Sequence, residues 1–122
     1  MTEKININIW DDYYDDGYVP EGEIQETYAY VECKISDEDC KNVLDLLKEQ
    51  IAKLSTCALE LNYYDSAKVY PNLVGTEYEY SLYKRWQLEI KNLTHKEREN
   101  IVENLKNKLQ YQGTPVVVYS ES

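Results

Sequence analysis

The apolar residues of this chain change period at Ser36 and change back near Ser55, and the same succession of periods returns between Trp86 and Tyr119. From Ala29 to Ile35, Ala29, Val31, Cys33 and Ile35 alternate with Tyr28, Tyr30, Glu32 and Lys34, the pattern of a half-buried strand. Ser36 then precedes Asp37, Glu38 and Asp39. A side-chain oxygen followed by carboxylates suits the free N–H groups and positive end of a helix start. Cys40, Val43, Leu44, Leu47, Ile51 and Leu54 recur at steps of three and four, which puts them on one helical face. Cys57, Leu59, Leu61 and Tyr63 restore the alternation, so 28–64 reads strand, helix, strand.

The echo, 83–119, opens with Trp86, Leu88 and Ile90 in alternation. Thr94 and Glu97 have the spacing of a capping box, in which hydroxyl and carboxylate satisfy each other's backbone donors. Laying Thr94 on Ser36 carries Val43, Leu44, Leu47 and Ile51 onto Ile101, Val102, Leu105 and Leu109. This predicts a second helix running through Leu109 to a stop at Gly113 and Pro115, with Val116 to Tyr119 as a closing strand. Ahead of the echo, Tyr78, Tyr80, Leu82, Trp86, Leu88 and Ile90 share one parity, which predicts one long, bulged strand from Thr76.

At 122 residues the chain is expected to form a single domain, 1–122, with one two-layer core. The order of elements predicts an α+β, ferredoxin-like sandwich (split βαβ, βαββαβ) with two helices packed on one face of an antiparallel sheet. Ile5, Ile7 and Ile9 alternate with Asn6, Asn8 and Trp10, an extra N-terminal strand expected at the sheet edge. The alternative is another α+β sandwich with the same element order.

Charge narrows the function. Residues 1–32 hold nine acids and one lysine, so most of the net −10 sits in the first quarter of the chain. Such a surface repels phosphates and anionic lipid and attracts cationic protein, so no direct nucleic acid or membrane partner is expected. In the stretch 11–23, Asp11, Asp12, Asp15, Asp16, Glu21 and Glu23 are interleaved with Tyr13, Tyr14 and Tyr18. Carboxylates for steering beside rings for anchoring are the residues of a loop that clamps a basic groove. The competing explanation is a solvated acidic loop linking two antiparallel strands. A calcium loop is a further alternative, since Asp12, Asp16, Gly17 and Glu23 fall at EF-hand positions, but Tyr14 replaces a ligand, Pro20 interrupts the loop and a strand precedes it. No metal or cofactor is therefore expected.

Catalytic signals are sparse. His95 stands at a helix start, where the dipole disfavours its charged form, and Glu77 and Glu79 read as exposed acids of a strand. Lys84, Arg85 and Trp86 form the one basic and aromatic cluster, with Arg85 expected to pair with Glu32 or Glu89. Cys33, Cys40 and Cys57 lack metal-site spacing and read as free, buried thiols, which with no apolar leader segment points to the cytoplasm.

The reading that follows is a non-enzymatic acidic binding protein or inhibitor that occupies a basic surface of a partner, such as a nucleic-acid-handling enzyme. In charge and size, though in nothing finer, it is similar to small acidic phage proteins that imitate nucleic acid and to immunity proteins that neutralise basic nuclease toxins. The alternative is a small-molecule or ion-binding domain, with room for a homodimer through sheet edges.

Overall fold

The computed structural model describes residues 4–12 and 24–121. In chain order these form β1 (Ile5–Asp12), β2 (Ile24–Val31), α1 (Asp37–Leu54), β3 (Ala58–Asp65), a one-turn helix α2 (Ser66–Val69), two 3-10 turns (Pro71–Leu73 and Glu79–Ser81), β4 (Lys84–Thr94), α3 (His95–Leu105), β5 (Leu109–Tyr111) and β6 (Thr114–Glu121).

The six strands make one sheet in the order β3-β4-β2-β1-β6-β5. Every pairing is antiparallel except β1 with β6. Helix α1 lies over β2, β3 and β4, while α3 lies over β4 and β6. Their buried faces meet the sheet in one core of Val43, Leu44, Leu47, Ile51, Ile101 and Leu105 against Ile5, Ile7, Ile9, Ala29, Leu88, Ile90, Val116 and Val118. The protein is thus a mixed α+β sandwich, but its strand order is not the ferredoxin-like one. The departure is β1, which sits inside the sheet between β2 and β6 instead of at an edge. Its residues explain the placement. Ile5, Ile7 and Ile9 are buried toward the helices, and Asn8 on the opposite side is buried beside Tyr30 and Glu32, a pattern that fits a strand with neighbours on both edges.

Helix α1 begins as its residues dictate: Ser36 Oγ accepts from the Asp39 backbone N–H at 3.1 Å, with Asp37, Glu38 and Asp39 in the first turn. Four of the six expected stripe residues are fully buried, while Cys40 is half-buried and Leu54, the last residue of the helix, is 46 % exposed. Helix α3 carries the expected capping box, with Thr94 and Glu97 each bonded to the other's backbone N–H. Ser55 Oγ donates to the same Glu97 carboxylate at 3.1 Å, linking the end of α1 to the start of α3.

Four further expectations about the elements fail. The second helix stops at Leu105, not beyond Leu109, because Asn107 takes a left-handed conformation with φ 60° and turns the chain out. Leu109 is buried as expected, but from β5. Gly113 does not end a helix. With Gln112 at φ 49° and Gly113 at φ 82° it forms the two-residue turn between β5 and β6, the geometry whose twist matches a hairpin. The long strand expected from Thr76 begins only at Lys84, and 76–83 are turns. Finally, β2 ends at Val31, so Cys33 and Ile35 lie beyond it. Asn92, at φ 62°, marks a bulge in which the register with β2 slips between Gln25 and Thr27. The extra residue turns Leu93 inward after Ile90.

Candidate interaction surface

Of the expected partner-binding residues, Asp11 and Asp12 end β1, where they pair in register with Thr27 and Glu26. Tyr13, Tyr14, Asp15, Asp16, Tyr18, Glu21 and Glu23 lie outside the described residues, as does the body of the calcium-loop pattern. Among the described residues no group of three or more His, Cys, Asp or Glu side chains is placed to hold a metal ion. Likewise, no described helix is long and apolar enough to cross a membrane. His95 opens α3.

The sheet face turned away from the helices is a polar and aromatic surface. Register places Asn8 beside Tyr30, Trp10 beside Tyr28, Gln87 beside Asn62 and Arg85 beside Tyr64. Asn8 Nδ2 donates to the Tyr30 hydroxyl at 3.0 Å and to Glu32 Oε1 at 3.2 Å. Arg85 makes neither of the expected carboxylate pairs. Its guanidinium lies 3.5 Å from the Tyr30 ring centroid and 4.4 Å from that of Tyr83, and the Tyr64 ring leans on Tyr83 at 5.5 Å. The side chain is planar and weakly hydrated, so it stacks against the rings in place of a carboxylate pair, and its buried Nε has no hydrogen-bond partner among the described residues. Glu89 instead faces Glu60 directly across the β3–β4 pair, and Lys91 reaches both, at 3.7 and 4.0 Å, which offsets the like-charge repulsion.

Pro71 and Gly75 mark 65–75 as irregular, but a strand was expected from Thr76, so sequence reading caught only in part the excursion between β3 and β4. Its ends are clasped: Ser66, 2 % exposed, donates from both N–H and Oγ to the Tyr83 carbonyl at 3.0 Å and accepts from the Tyr83 N–H at 2.7 Å. Inside, Asp65 caps the one-turn helix α2 through the Ala67 N–H, and Thr76 Oγ1 donates to the Leu73 carbonyl at 2.7 Å. Further along, Ser81 Oγ donates to the Tyr78 carbonyl at 2.7 Å, and the Gly75 N–H to Glu79 Oε2 at 3.2 Å. Gly75, at φ 80°, supplies a conformation that side-chain-bearing residues avoid. The loop is thus held by its own polar groups, in the manner of a compact Ω-loop.

Its apolar side chains face outward. Tyr80 is 84 % exposed, and Val69, Tyr70, Val74 and Tyr78 are more than half exposed. Tyr78 and Tyr80, expected on the buried parity of a strand, are therefore surface residues. Glu and Tyr alternate here with two polar-tipped residue types, so period two does not distinguish a buried face from an exposed one. The signals that mark a loop were present in Pro71 and Gly75, and in Asp65 and Ser66 as a turn start.

The three cysteines are free, and none belongs to the fully buried core, contrary to the expectation of buried thiols. Cys33 Sγ accepts from the Asn6 N–H and donates to the Lys4 carbonyl. Partial burial pushes the Cys40 thiol up, and Asp37, Asp39 and Cys33 push it further. At the same end of α1, Tyr111 donates to Asp39 Oδ1 at 2.8 Å and Tyr63 to Asp37 Oδ2 at 3.3 Å. Both phenols are raised: Tyr63 by partial burial and then by Asp37, and Tyr111 because the largest single effect, the lowering bond from Asn42, is outweighed by the bond to Asp39, burial and the nearby carboxylates together.

The geometry defines a small α+β domain with an unshielded polar sheet face and a stiff, tyrosine-bearing loop. Comparison with protein-family models, with curated proteins and with solved structures found no match to the chain.

Proposed function

We propose that the protein is a non-enzymatic acidic binding protein that occupies a basic surface on a protein partner, as nucleic-acid mimics and toxin-neutralising immunity proteins do. The observation that carries this reading is the segregation of charge. Residues 1–32 hold nine acids against one lysine, while the other 90 positions hold fourteen acids against twelve bases. Charge spread for solubility alone has no reason to collect in one quarter of a chain. Aromatic rings with polar tips support it further: the chain has thirteen tyrosines, two tryptophans and no phenylalanine, the composition of interface cores more than of domain cores. A nucleic-acid-handling enzyme fits such a partner, because it presents a cationic groove to phosphates.

The test is the joint replacement of Asp11, Asp12, Asp15 and Asp16 by Asn. The variant should keep the far-ultraviolet circular dichroism and melting temperature of the parent and lose affinity for the partner by about tenfold or more. Unchanged affinity in a folded variant would refute the reading.

A further inference from the structure

The excursion between β3 and β4 supplies a second, independent observation. Resting on the proposal of a basic partner, we infer that the 65–84 loop is the anchoring element of the interface, and that its groove receives a cationic side chain, arginine above all, from that partner.

Three features argue for it. A loop that spends its polar groups on fixing its own backbone while turning Tyr70, Val74, Tyr78 and Tyr80 outward has already met the ordering cost of binding, the condition under which exposed rings become hot spots. A groove of about 550 Å³ in this loop is lined by Ala67, Val74, Leu82 and Tyr83 together with the charged Asp65, Glu79 and Lys84. Lys84 is 3.8 Å from Asp65 and offsets that carboxylate, so Glu79 gives the groove its net negative charge. An aliphatic stem fits the apolar lining and a guanidinium fits Glu79, while the Tyr83 ring is already engaged by Arg85 and Tyr64. The occupant is a basic partner and not a second copy, because two chains of net −10 repel.

The groove lies at the end of the sheet where β3 finishes and β4 begins, and Asp11 and Asp12 lie at the opposite end of the sheet, where β1 finishes and β2 begins. The two surfaces can therefore be tested apart. The full chain, labelled with nitrogen-15, is titrated with the acetylated, amidated tetrapeptide leucyl-arginyl-leucyl-arginine and with its uncharged citrulline counterpart. Expected are saturating amide shifts centred on Ala67, Val74, Gly75, Leu82 and Tyr83, with the citrulline peptide about fivefold weaker or more. Glu79→Gln, which keeps an oxygen for the Gly75 N–H, should remove most of that preference, and Tyr80→Ala should weaken both peptides. Equal affinities for the two peptides, or shifts centred elsewhere, would overturn the inference, and so would dilution-dependent shifts of these amides without peptide, which would assign the loop to self-association. Those failures leave the charge-based reading standing, since the Asn variant and the salt dependence of the complex test that separately.

Discussion

Ser66 and Tyr83 exchange three hydrogen bonds across a loop whose intervening residues make few contacts with the core. The Ser66 hydroxyl serves in two of them, once as donor and once as acceptor, from a position out of reach of water. Ser66→Ala leaves the Tyr83 N–H without its partner and should cost about 1–3 kcal/mol. Urea denaturation should show a lower midpoint at unchanged slope, and amides between 67 and 82 should exchange faster than in the parent.

The junction between α1 and α3 is a second polar knot. Thr94→Ala removes the cap of α3 and should destabilise by about 1 kcal/mol. Glu97→Ala should cost as much or more, since Glu97 also receives Ser55 from the end of α1. Thermal melts of the two single variants and the double variant check this, with the double expected to fall short of additivity.

Core packing predicts a sharp contrast within one helix. Leu47 is fully buried under the sheet, so Leu47→Ala should cost about 2–5 kcal/mol. Leu54, of the same sequence stripe, is nearly half exposed, so Leu54→Ala should stay within about 0.5 kcal/mol. Denaturant titration of both variants decides the point.

That contrast also marks what the sequence could convey. Both main helix starts were legible because capping is local: Ser36 and Asp39, or Thr94 and Glu97, lie three residues apart. The strands of the core were legible from period two. Strand order was not, since nothing local distinguishes Ile5–Asp12 as an interior strand except a buried Asn8, whose partners Tyr30 and Glu32 are remote in sequence. The end of α3 was misread because the echo supplied Leu109 at the right spacing, while the left-handed Asn107 that overrides it is one residue among many asparagines. At the surface, charge could be counted and Pro71 and Gly75 marked a break after β3, but the continuation of that loop through Tyr78 and Tyr80 had the alternation of a strand. Its folding depends on the Ser66–Tyr83 clasp, a contact between ends that sequence does not juxtapose.

Cys40 gives a pH prediction. Burial first, then the carboxylates of Asp37 and Asp39, favour the neutral thiol, so its pKa in the folded state lies above the unfolded value of about 8.5. The stabilising difference is complete below the unfolded value and is lost as pH rises through the folded one. In a chain with Cys33 and Cys57 replaced by Ser, the Cys40 thiol should react with a disulfide reagent at pH 8 several-fold more slowly than free cysteine. Asp37→Asn should speed the reaction. A rate equal to that of free cysteine would show that the helix start does not act on the thiol.

Salt dependence of the complex bears most directly on the function. The partner recovered with the full chain from its native host, identified and purified, is titrated calorimetrically against the chain from about 50 to about 500 mM sodium chloride, a range across which the screening length falls severalfold. Expected are a cationic partner surface and a dissociation constant that rises by about tenfold or more over that range. A constant that does not change with salt would contradict the proposed function.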